Sequence, residues 1–138
     1  MKNNLVWIID DDEYNAKRLR RDVMEFDPAA TGQIFGDAMA ACRATGSPAV
    51  IVVDLSSVGS IAGGPELSYS AIANISGKHP GAVIVIRSAV SKNFAEYVRE
   101  LVVDDCPDSV VRLMEVFDDL SKVLGEFLTP ATLGGGEQ

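Results

Sequence analysis

The 138-residue sequence is poor in the residue types that build many special sites: it holds 2 cysteines, 1 histidine and 1 tryptophan. Cys42 and Cys106 form no CxxC pair and have no second ligand pair nearby in sequence. That excludes a disulfide framework and a Cys/His zinc site, and it fits a reducing compartment. Basic residues are scarce too, with 12 Lys and Arg against 20 Asp and Glu for a net charge of −8. Such a balance repels phosphate backbones and anionic lipid, so neither nucleic-acid binding by this domain alone nor membrane attachment is expected. Long apolar runs are missing. The opening MKNNLVWIIDDDE meets acids by Asp10, too early for a signal peptide and well short of the roughly 20 residues of a membrane span. A cytoplasmic protein is expected.

What is present is a 47% apolar content, enough for one full core at this length. Short Val- and Ile-rich runs alternate with segments of helical period, which predicts parallel strands linked by crossover helices. LVWIID (5–10) reads as the first strand. EYNAKRLRRDVMEF (13–26) places Ala16, Leu19, Val23 and Phe26 on one helical stripe, and Pro28 stops it. TGQIFG holds a short strand, DAMAACRAT a small-residue helix, and AVIVVD (49–54) a strand apolar enough to be covered on both faces. The segment 55–64 reads as a loop and Pro65 as a first helical position. AVIVIRSA predicts a fourth strand, SKNFAEYVR a short helix, ELVVDD (100–105) a fifth strand, and 108–128 a long final helix. The domain is expected over 1–128, with 129–138 a disordered tail or the start of a linker. The predicted class is α/β, a doubly wound sheet of five parallel strands with helices on both faces, whose ligands bind at the carboxyl ends of the strands.

Polar groups stand at three of those ends: Asp10 and Asp11, Asp54, and Ser88. Any single aspartate reads more readily as a helix N-cap or a solvated acid, and it is the agreement of three strand ends that favours a site. Convergent carboxylates repel one another, however, and are tolerated when a cation sits among them. Hard oxygen donors suit Mg²⁺, and a carboxylate beside such an ion can attack a phosphoryl group to give an acyl phosphate.

In IIDDDE, IVVDLSS and IRSA, taken in that order, the chain resembles the receiver domain of two-component response regulators over roughly residues 4 to 128; GGPEL and DAMAA add to the likeness. The resemblance implies the flavodoxin-like receiver fold and an Mg²⁺ site at Asp10, Asp11, Asp54 and the Ser56 carbonyl. It further implies phosphorylation of Asp54 and a switch hydroxyl at Ser88. It implies as partners a histidine kinase or phosphotransfer protein and a downstream signalling protein, and no enzymatic activity beyond the receiver's own phosphorylation chemistry. Receivers carry Lys-Pro at the end of strand five. With that strand at 100–105, Pro107 is present and Cys106 takes the lysine position, while Val103 stands where many receivers have an aromatic switch residue. Strand alternation turns Arg87 away from a pocket that Ser88 faces, which leaves Lys92 as a substitute cation.

The missing lysine keeps a second reading open, a pseudo-receiver that acts through contacts without phosphorylation. A third takes IIDDD and LVVDDCPDS as motifs similar to those of haloacid-dehalogenase-type phosphatases, with Asp10 as nucleophile, Asp12 as acid, Ser88 on phosphate and Asp104, Asp105 and Asp108 near the metal. It leaves Asp54 without a role. His79, in GKHPG, is expected at the surface, and Trp7 under a helix. Val110, Leu113, Phe117, Leu120, Leu124 and Phe127 form a stripe on the expected final helix long enough for a homodimer contact. No output domain is legible after residue 128, which fits either a single-domain regulator or the receiver portion of a longer protein.

Overall fold

The computed structural model describes residues 4–55, 60–88, 92–115 and 117–131, with the backbone alone described at 60–68 and 92. Strands and helices alternate along the chain as β1 (Leu5–Ile9), α1 (Glu13–Phe26), β2 (Thr31–Phe35), α2 (Ala38–Arg43), β3 (Val50–Asp54), α3 (Ser60–Lys78), β4 (Val83–Arg87), α4 (Lys92–Asp105), β5 (Val110–Met114) and α5 (Leu120–Gly125). The five strands form one parallel sheet in the order β2-β1-β3-β4-β5. This is the doubly wound architecture that the alternating pattern predicts.

Side-chain alternation along the strands sorts the core into two layers. Val6, Ile8, Val50, Val52, Val85 and Met114 pack against Ala16, Leu19 and Val23 of α1 and Leu120, Val123 and Leu124 of α5. Trp7, Ile9, Ile51, Val53, Ile84 and Ile86 face the other way, onto α2, α3 and α4 through Ala38, Ala41, Ile72, Ile75, Ala95, Val98 and Val102. β3 is buried at every position, as its unbroken apolar run requires. In the turn before it, Gly46 adopts φ 124°, where a Cβ would be strained, and lets the chain pass close to Leu5 and Trp7.

The C-terminal third departs from expectation. Residues 100–105, read as strand five, are the last turns of α4, and strand five is the segment that begins the expected long helix. ELVVDD is too short an apolar run for periodicity to separate strand from helix. Extended backward it joins Ala95, Val98 and Val102, buried at spacings of three and four, and that stripe is helical. The final helix is correspondingly short. Val110 and Leu113 lie on β5, Leu120 and Leu124 are buried in the core, and Phe117 stands exposed in the loop between. The stripe that suggested a homodimer therefore does not exist as one helix face.

The first residues after the final helix contact the amino edge. The Asn4 amide donates to the Thr129 carbonyl at 3.0 Å, and the Ala131 N–H donates to Asp27 at 2.8 Å. Residues 129–131 are thus pinned to the amino edge of the sheet, and 132–138 lie outside the described residues. His79 is half-buried, its ring edge-on to Trp7 with centroids 4.8 Å apart. Burial holds its pKa below the ordinary imidazole value, with Lys78 acting in the same direction. No helix among the described residues is long and apolar enough to cross a membrane.

Candidate functional site

The strand registers carry each pairing one step past the last fully apolar row. Ile9 pairs with Val53, so Asp10 falls opposite Asp54; Asp54 pairs with Arg87, and Arg87 with Met114. Directly paired residues of a parallel sheet point to the same face. Asp10, Asp54 and Arg87 consequently form a polar row at the carboxyl edge, on the side covered by α1 and α5. β1 lies between β2 and β3, so the β1/β3 crevice is the topological switch point where such sheets take ligands.

All three members of the row are buried, with relative exposures of 2% for Asp10, 7% for Asp54 and 3% for Arg87. Arg87 Nη1 donates to Asp54 Oδ2 at 3.0 Å, a charge-assisted bond in a setting where an unpaired ion would be costly. Asp10 is anchored by α1. Its Oδ1 accepts from the Asp12 N–H at 2.9 Å and its Oδ2 from the Asn15 amide at 2.5 Å. Burial pushes the Asp10 carboxyl above the usual carboxylate range, and repulsion from Asp54 adds to that. Hydrogen bonds from Asp12 and Asn15 and the field of Arg87 oppose the rise.

The three consecutive acids of IIDDDE thus separate into different duties. Asp10 enters the buried row, Asp11 is exposed, and Asp12 is the N-cap of α1, its Oδ1 accepting from the Asn15 N–H at 3.2 Å. Ser88 follows the last residue of β4 and is half-buried. Ser56 and the Lys92 side chain lie outside the described residues.

Arg87 corrects the sequence reading. Alternation does turn Arg87 and Ser88 to opposite faces, but the register pairs Asp54 with Arg87 rather than with Ser88. The cation therefore comes from β4. Cys106 and Val103 are displaced from the roles expected of them: Val103 is on α4, and Cys106 begins the turn from α4 into β5. In a crossover unit the helix returns the chain to the start of the next strand, so this turn lies at the amino edge, opposite Asp54. Cys106 Sγ there lies 3.9 Å from the Ala73 carbonyl. The residue that follows β5 is Glu115, exposed, so the lysine position of the receiver pattern falls on an acid. Asp104, Asp105 and Asp108 share the amino-edge location of Cys106, which dismantles the phosphatase-like set that needed them beside Asp10.

The expected metal site can be tested against these donors. Among the described residues no group of three or more His, Cys, Asp or Glu is arranged to hold a metal ion. Asp10 and Asp54 are brought together, but Arg87 already contributes a positive charge to them. The described side chains do not by themselves make a divalent-cation cage. Two participants escaped the sequence reading, Asn15 and Arg87. Asn15 was detectable as an amide one turn into a helix that starts just after Asp10, and Arg87 only through strand register.

No family model and no curated protein sequence matches the chain. Solved structures do match. A response regulator from Burkholderia pseudomallei, with a phosphorylated aspartic acid, a calcium ion and citrate, superposes with a TM-score of 0.66 at 19% identity, over 98% of this chain and 72% of that one. The BeF3-activated receiver domain of DrrB gives a TM-score of 0.68 at 12% identity, over 91% of this chain and 97% of that one. A response regulator from Colwellia psychrerythraea gives 0.64 at 20% identity, over 99% of this chain and 100% of that one. The chain has the fold of response-regulator receiver domains.

Proposed function

We propose that the protein is an atypical receiver module of two-component signalling, present in the cytoplasm, in which Asp54 accepts a phosphoryl group and thereby controls contacts with a downstream protein. The observation that carries this reading is the position of Asp54: a buried carboxylate at the carboxyl end of the central strand, at the switch point, beside Asp10 and charge-balanced by Arg87. A carboxylate oxygen of Asp54 would attack phosphorus. The bond from phosphorus to the donor atom, nitrogen in a phosphohistidine or oxygen in acetyl phosphate, breaks, and its electron pair leaves with the imidazole or the acetate.

The chain's own residues have distinct parts in that step. The β3 backbone fixes the nucleophile, Asp10 stays in place through Asp12 and Asn15, and Arg87 offsets the charge that accumulates as the carboxylate becomes an acyl phosphate of about −2. The proposal of Ser88, just past β4, as a switch hydroxyl rests on the receiver resemblance, since Arg87 and not Ser88 is in register with Asp54. The proposal of Mg²⁺ at Asp10, Asp11, Asp54 and Ser56 rests on the receiver resemblance. A histidine kinase or phosphotransfer protein is the proposed donor, and the module is not proposed to turn over an external substrate.

The Arg87–Asp54 pair also favours a second reading, a pseudo-receiver whose acid is neutralised permanently and whose contacts do not depend on phosphorylation. One experiment separates the two. Incubation with acetyl phosphate and Mg²⁺, followed by intact mass, is expected to add one phosphoryl group to the wild type and none to Asp54→Ala. An unmodified wild type, under conditions that modify a control receiver, would establish the pseudo-receiver.

A further inference from the structure

We infer that Arg87 is the resident cation of the site and the side chain that binds the transferred phosphoryl group, so that strand four takes over the charge duty that strand five performs in ordinary receivers. The inference rests on the reading of Asp54 as acceptor and names how that acceptor is regulated. Three observations carry it. First, Arg87 is in register with Asp54 and contacts it at 3.0 Å, with side-chain exposures of only 4% and 9%. Second, Arg87 Nε is buried and has no hydrogen-bond partner among the described residues. Third, Glu115 after β5 is an exposed acid and supplies no positive charge from that strand.

A buried guanidinium N–H without an acceptor is uncommon, because burial removes the water that would otherwise satisfy it. Arginine presents its donors as a planar fork, and phosphate offers oxygens at matching spacing. An acyl phosphate on Asp54 would bring three acceptor oxygens to within reach of a side chain that already touches the carboxylate. Nη1 and Nε can then share the new oxygens, and the orphaned donor gains a partner. Before phosphorylation the same side chain neutralises Asp54. Arg87 is thus a two-position residue, on the carboxylate in one state and on the phosphoryl group in the other.

The fork, and not the charge alone, distinguishes this role from a merely structural ion pair. Arg87→Lys keeps a cation but presents a point charge without the paired donors. With acetyl phosphate and Mg²⁺, the rate of Asp54 modification is expected to fall about tenfold in Arg87→Lys and about 100-fold in Arg87→Met, by comparison with losses of single preorganised donors. Beryllofluoride, used as the phosphoryl mimic in titrations with Mg²⁺, is expected to bind both variants more weakly in the same order. In wild type the Arg87 Nε–H resonance is expected to shift and become protected from exchange when beryllofluoride is added.

The outcomes separate. A wild type inert to acetyl phosphate and to beryllofluoride, where a control receiver responds, overturns the acceptor reading and this inference with it. A wild type that is modified, with Arg87→Lys unchanged in rate and beryllofluoride affinity and the Nε–H resonance unmoved, overturns this inference and leaves Asp54 as acceptor. If Arg87→Met fails to fold, Arg87→Lys and the resonance decide.

Discussion

Two buried aspartates at opposite edges of the same sheet are satisfied in different ways. At the amino edge, Asp27 is completely buried and accepts from the Ala29 N–H, the Ala131 N–H and the Asn4 amide at 3.0, 2.8 and 3.2 Å. These three donors are neutral, two of them backbone, and they tie the end of α1 to the segment before the first strand and to the C-terminal segment. At the carboxyl edge, Asp54 faces the guanidinium of Arg87 across 3.0 Å. A carboxylate held by backbone donors cannot exchange partners without unfolding its surroundings. One that pairs with the end of an arginine side chain can, and that difference suits Asp27 to a structural clasp and Asp54 to the acceptor role proposed for it.

Removal of the cation tests the comparison most severely. Arg87→Met takes the guanidinium away from a buried carboxylate and is expected to lower stability by about 3–5 kcal/mol in urea unfolding. Asp54→Asn added to Arg87→Met should recover much of that loss, because the carboxylate that the guanidinium contacts is then neutral as well. A loss in Arg87→Met that persists undiminished in the double variant would mean that Arg87 acts through packing alone. At the other edge, Asp27→Ala removes the fully buried carboxylate that accepts from Asn4, Ala29 and Ala131, and a loss of about 2–3 kcal/mol is expected. Limited proteolysis should then cut near Thr129 faster than in wild type. No change in that cut would show that Asp27 does not hold the C-terminal segment.

The smallest effect concerns pH and the layer beneath the amino edge. His79 packs on Trp7 and its folded pKa lies below the ordinary value near 6.5. The unfolded chain therefore takes up the proton first. The contribution of His79 to stability is full above about pH 6.5 and is lost as pH falls through the folded pKa. Melting midpoints should decline on acidification in wild type, and the slope over that window should flatten in His79→Gln. An identical slope in the variant would assign the decline to other groups.

How much of this was legible in the sequence follows from where local pattern decides structure. α1 was readable to its ends because its stripe is long, Asp12 caps it and Pro28 follows it. The first four strands were placed to within a residue or two by their Val and Ile runs. ELVVDD and VVRLM were exchanged because both are short apolar runs, and only the packing of Ala95, Val98 and Val102 together identifies the first as helix. That exchange put Cys106 at an active-site position it does not occupy. Arg87 was legible as a residue but not as a participant, since its role depends on which residue of β3 lies opposite it. Strand register is fixed by tertiary pairing and is not written in the period of either strand.

Borohydride trapping tests the central claim most directly. Reduction after treatment with acetyl phosphate and Mg²⁺ converts an acyl-phosphorylated aspartate to homoserine, and peptide mass spectrometry locates it. The result expected is homoserine at Asp54, in wild type, with the yield reduced in Arg87→Lys. Homoserine at Asp10, or none at all beside a reactive control receiver, would contradict the assignment of Asp54 as the acceptor.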